Sequence, residues 1–90
     1  MDNFVTFDDL VYEDLGLIIS FSFPDSKEKS KVFILEIMDF ISKLENFPKL
    51  GSEFFENTRK LVFKKKYNIY YIIEKNNIII FKIVNSKLDF

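Results

Sequence analysis

The sequence contains no cysteine, no histidine and no tryptophan, and only two glycines and two prolines. Without cysteine there is neither a disulfide nor a thiolate metal site, and the oxidising compartments gain no support. Without histidine the commonest general base and the commonest zinc ligand are gone, so carboxylates, lysines, tyrosines and Arg59 are the chemistry that is left. Gly16 and Gly51 are too few for a glycine-rich phosphate loop, and none of the serines has a nucleophile-elbow context. The longest uncharged run, Leu15 to Pro24, is about half of the roughly 20 residues that a spanning helix needs. The N-terminus is acidic and lacks the positive n-region of a signal peptide. The expectation is a soluble cytoplasmic protein with no membrane partner, no small-molecule cofactor and no bound metal.

What is present is apolar. Hydrophobic residues make up 48% of the chain, with 12 Phe and 4 Tyr against 30% charged residues, the profile of a compact globule. Ninety residues bury one modest core, so a single domain over 1–90 is expected. The formal net charge of −1 hides a steep gradient. Residues 1–25 carry six acids and no base, residues 26–58 five bases and six acids, and residues 59–90 eight bases against two acids. A basic surface is thus folded into a neutral total, and it would attract a negative partner to the C-terminal third alone.

That third organises the rest. Residues 59–84 hold three β-branched and aromatic runs separated by Lys64-Lys65-Lys66 and Lys75-Asn76-Asn77, which predicts antiparallel strands over 59–64, 67–74 and 77–84. The middle run is apolar on both faces, so it belongs at the sheet centre. Residues 3–7 read as an edge strand. Leu10, Val11, Leu15, Ile18 and Ile19 recur at helical steps behind Asp8 and Asp9, predicting a helix over 9–22, although Gly16 weakens it and Ser20-Phe21-Ser22-Phe23 alternates like a strand, which leaves 16–23 open between the two. Ser26 is the candidate N-cap of a second helix over 27–46, whose stripe is Phe33, Ile34, Ile37, Phe40, Ile41 and Leu44. Residues 46–52 form a loop in which Gly51 is expected at positive φ, and residues 53–58 carry no assignable pattern. The fold class is α+β, with the N-terminal strand and helical hairpin packed on a three- to four-stranded antiparallel sheet.

Arg59, Lys64, Lys65, Lys66, Lys82 and Lys87 are the candidate surface for nucleic acid or an acidic partner, although lysines also guard sheet edges against aggregation. Tyr67, Tyr70 and Tyr71 suit base stacking or, more simply, the core of a central strand. Asp8, Asp9, Glu13 and Asp14 are numerous enough to hold magnesium, yet acids at a helix start are favoured by capping and the helix dipole alone.

The order of motifs resembles the RelE/ParE superfamily, the toxin half of bacterial type II toxin–antitoxin pairs. The residues that carry the resemblance are Asp14-Leu15 with Ile18, Leu44 with Phe47-Pro48-Lys49-Leu50-Gly51, Arg59 with Leu61, Tyr67-Asn68-Ile69 with Tyr71, Ile78 to Phe81, and Val84 to Asp89. The resemblance implies a small toxin neutralised by a cognate antitoxin. Its target is either DNA gyrase, inhibited by binding, or ribosome-bound mRNA, cut by an endonuclease. The endonuclease members commonly place arginines where this chain has Asn68 and Leu88, and a tyrosine or histidine beyond the last strand, which this sequence does not show. Arg59, Lys87 and Tyr67 are the remaining candidates for catalysis. The balance favours a ParE-like inhibitor that works by contact, with an mRNA endonuclease or an inactive relative as alternatives.

Overall fold

The computed structural model describes residues 2–89 and orders the chain as β1 (Phe4–Phe7), α1 (Asp9–Ser22), α2 (Lys27–Ser42), β2 (Ser52–Phe55), β3 (Thr58–Phe63), β4 (Tyr67–Glu74) and β5 (Asn77–Asn85). Strand alternation decides the layering. Tyr67, Ile69 and Tyr71 of β4 point to one face and are at most 3% exposed, next to Leu61 and Phe63 of β3 and Ile78, Ile80 and Ile83 of β5. Both helices close that face, α1 through Val11, Leu15 and Ile18 and α2 through Phe33, Ile37 and Ile41. The spacing that buries Val11, Leu15 and Ile18 is helical, which resolves residues 16–23: the helix runs to Ser22 and leaves Phe21 86% exposed.

The caps follow the sequence. The Asp8 carboxylate accepts from Leu10 N–H at 3.0 Å, and the Ser26 hydroxyl accepts from Lys29 N–H at 3.1 Å. The second helix is shorter than its apolar stripe. α2 ends at Ser42, and Lys43–Glu45 tighten into a 3-10 turn that still delivers Leu44, fully buried, to the core.

The sheet differs from the expected antiparallel one. It has five strands in the order β1-β5-β4-β3-β2, and β1 joins β5 in parallel, pairing Phe4 with Asn77 through Phe7 with Ile80. Parallel pairing is the form open to β1 because the intervening chain brings β5 alongside it, running the same way. β2 escaped the sequence because Ser52–Phe55 does not alternate and is exposed throughout; pairing with β3 alone makes it a strand. β3 ends at Phe63, and Lys64 belongs to the turn.

Gly51 is the other departure. It has no positive φ; a side chain there would instead collide with its neighbours, since a Cβ would lie 2.8 Å from the Lys60 carbonyl oxygen and 2.8 Å from the Tyr71 hydroxyl. That hydroxyl accepts from Gly51 N–H at 2.9 Å and donates to the Pro48 carbonyl at 2.8 Å. Arg59 holds the same loop from the other side, its Nε donating to Gly51 O at 2.8 Å. Gly16, in contrast, faces open space, with nothing within 4 Å of the point that a methyl side chain would occupy.

The two glycines therefore respond in opposite directions. Gly51→Ala is expected to destabilise the fold by about 1–3 kcal/mol or more, read as a lower urea midpoint, as the buried amide and hydroxyl lose each other. Gly16→Ala is expected to stabilise it by up to about 1 kcal/mol, since only the cost of a mid-helix glycine is removed. Equal effects in the two urea titrations would contradict the steric role of Gly51.

Candidate functional site

The residues that the sequence groups together are spread over the fold. Arg59 projects to the helix-covered side, only 17% exposed, and is engaged with Gly51 O, with Lys49 O at 3.4 Å and with Glu53 at 3.7 Å. Tyr67 lies in the core, its ring 5.1 Å from that of Phe33 and 3% exposed. Lys64, Lys65 and Lys66 form the β3–β4 turn, and Lys66 O accepts from Ser86 N–H at 2.8 Å, which brings the turn beside the 3-10 turn that contains Lys87. Lys64 also reaches Glu36 of α2 at 2.9 Å in a solvent-exposed bridge of little energetic weight. These lysines share one end of the sheet; Arg59, beside Tyr71, does not. Beyond β5 the chain is described to Asp89, and Phe90 lies outside the described residues.

The acids near the N-terminus have structural tasks. Asp8 caps α1, and Asp14 accepts from the Ile83 N–H of β5 at 3.0 Å, pinning α1 to the sheet. Among the described residues no three acidic side chains converge as metal ligands.

The open face of the sheet carries the most developed polar arrangement. Cross-strand register sets Lys60 of β3, Tyr70 of β4 and Lys82 of β5 abreast in one row. A bulge between Tyr70 and Tyr71 makes Phe81 the extra residue of β5, so that Phe81 and Lys82 both reach Tyr70, the ring at 6.4 Å and the ammonium at 5.7 Å. On the other flank Phe54 of β2 lies 5.0 Å from the Tyr70 ring, with the Lys60 ammonium 5.2 Å from the Phe54 centroid. Into this row the chain beyond β5 lowers Asp89. Its carboxylate accepts from the Tyr70 hydroxyl and from Asn68 Nδ2 at 2.9 Å, and lies 3.7 Å from the Lys82 ammonium.

The electrostatics of this cluster lock it. Burial first, then the hydrogen bond to Asp89 and its negative charge, push the Tyr70 phenol up to about 12, against a smaller pull downward from Asn68. Burial alone would raise Asp89. Hydrogen bonds from Tyr70 and Asn68 and the charges of Lys82 and Lys60 outweigh it, so the carboxyl sits below its ordinary value. A general acid or base works best near the operating pH, and both groups move away from neutrality. What the face offers is a row of aromatic rings and cations around a carboxylate held by two hydrogen bonds and an ammonium.

Of the residues that the sequence singled out, Lys82 from the basic set and Tyr70 from the stacking tyrosines belong to this cluster. Lys60, Asn68, Phe54 and Asp89 were not grouped with them because they lie far apart in sequence, and strand parity is the signal that could have found Lys60 and Asn68, which fall with Tyr70 and Lys82 on the face opposite Leu61, Ile69 and Ile83. No helix among the described residues is long and apolar enough to cross a membrane. No protein-family model and no curated protein matches the chain.

The lock predicts a titration. The raised Tyr70 value means that its contribution to stability is complete below about pH 10, the ordinary phenol value, and is lost as pH rises through about 12. Absorbance at 295 nm should therefore show a late phenolate contribution that Tyr70→Phe removes. Asp89→Asn should bring that contribution earlier; an unchanged one would show that the carboxylate does not hold the phenol.

Proposed function

We propose that the protein is a growth-inhibiting toxin of the ParE-like kind, which acts by docking on a cellular target such as DNA gyrase and is neutralised by a cognate antitoxin. The order of strand, paired helices and C-terminal antiparallel strands agrees with the resemblance seen in the sequence. The observation that carries the reading is the mutual engagement of Tyr70 and Asp89, both held in their resting protonation states. Of the three catalytic candidates, Tyr67 is in the core and Arg59 is held by loop carbonyls, which leaves Lys87, on an exposed 3-10 turn, to act alone. One observation favours the second reading, an mRNA endonuclease: two lysines flank Tyr70, where they could face a phosphate.

Expression of the chain alone, followed by examination of message integrity and reporter-plasmid supercoiling, separates the two. Growth arrest with altered supercoiling and intact messages is expected, and Lys60→Ala with Lys82→Ala should relieve it. Site-specific cuts within translated messages would replace this reading with the endonuclease one, and unimpeded growth would leave an inactive relative.

The turn lysines give a second test. Lys64 and Lys65 sit at φ 53° and 57°, a left-handed pair that costs roughly 1–2 kcal/mol per residue and is usually filled by Asn-Gly. Lys64→Asn with Lys65→Gly is expected to raise the melting temperature and to weaken growth arrest. A stabilised variant with full potency would remove the turn from the contact surface.

A further inference from the structure

We infer that the row formed by Lys60, Asn68, Tyr70 and Lys82 is an oxyanion-binding cradle, that Asp89 of the same chain occupies it as an intramolecular plug, and that its external ligand is a phosphodiester flanked by a flat base. This rests on the open face being a docking surface and names a nucleic-acid strand as what that face holds, whichever protein the target includes; it does not depend on growth arrest.

Neighbouring strands lie about 4.8 Å apart, so Lys60 and Lys82 stand with backbones about 10 Å apart on either side of Tyr70. Two like charges across one ring favour an anion between them. The two neutral donors that meet there are deeply buried, Asn68 at 7% and Tyr70 at 5% exposure, and a buried donor without a partner is costly. Asp89 is the one acid of the described chain that answers all of these groups. It offers a single negative charge and two oxygens, one taking Asn68 and Tyr70 and the other facing Lys82.

A phosphodiester presents the same features, one negative charge on two unbridged oxygens. The surroundings favour it over a second carboxylate. The depression around Asp89, about 260 Å³, is walled by the rings of Phe54, Tyr70 and Phe81, and Phe54 is 56% exposed, so a flat base attached to the phosphate has a ring to stack on. An acidic peptide would leave those rings unused.

A plug lowers apparent affinity by the fraction of time that the cradle is open. Purified wild type, Asp89→Ala and Asp89→Asn are titrated with a thymidine dinucleotide, with diethyl phosphate and with a short acidic peptide, following the amide and side-chain NMR signals of Lys60, Asn68, Tyr70 and Lys82. Asp89→Asn keeps a hydrogen-bond acceptor without the charge and serves if the alanine variant unfolds. The dinucleotide is expected to bind Asp89→Ala or Asp89→Asn about tenfold or more tightly than wild type, diethyl phosphate more weakly, and neither after Lys82→Ala is added. Equal affinity for wild type and the Asp89 variants would overturn the plug. No binding by folded Asp89 variants would reduce Asp89 to a structural clamp, and binding of the acidic peptide alone would overturn the phosphodiester. These titrations succeed or fail whether or not cells expressing the protein arrest.

Discussion

The hydroxyl of Tyr71 joins the two halves of this protein. It stands at the centre of the sheet, accepts from Gly51 N–H and donates to Pro48 O, so the chain leaving the helices is held where β2 and β3 must begin. Everything at that junction is adapted to its reach. Gly51 has no side chain because the Lys60 carbonyl and the phenol occupy the space, and Arg59 completes the grip on the loop carbonyls. Burying a phenol is acceptable only where both its donor and its acceptor capacity are met, and here both are.

From that anchor the sheet acquires two unlike faces. The helix-covered side is an apolar core in which Ile37, Ile69, Ile78 and Ile80 are buried beside the rings of Phe33, Phe63, Tyr67 and Tyr71. The open side is built from aromatic rings, lysines and one carboxylate. Low dielectric under the rings strengthens the bonds among Tyr70, Asn68 and Asp89, which helps hold the phenol above and the carboxyl below their ordinary values. The β5 bulge is the device that permits this, since it aims two consecutive side chains at the same ring.

The basic excess of the C-terminal third is not one patch. The turn lysines and Lys87 gather at one end of the sheet, Lys60 and Lys82 lie in the middle of the open face, and Arg59 faces the opposite side. Lys64 and Lys65 of the turn also accept left-handed backbone that glycine or asparagine would adopt more easily, a cost in stability that ordinary edge protection does not call for.

The sequence by itself determined the elements whose signal is local. Periodicity and caps placed α1 at Asp9–Ser22 and the start of α2 at Lys27, and apolar residues on both faces placed β4 at the sheet centre, because each depends on residues close to one another in the chain. It also brought Lys82 into view as part of a binding surface. Only the tertiary structure decided the partners: that β1 runs parallel to β5, that Ser52–Phe55 is a strand at all, and that Asp89 closes over Tyr70. Those outcomes rest on pairings between separate strands, such as Phe4 with Asn77 and Ser52 with Lys60, and strand parity says which face a side chain takes but not which distant strand will stand beside it.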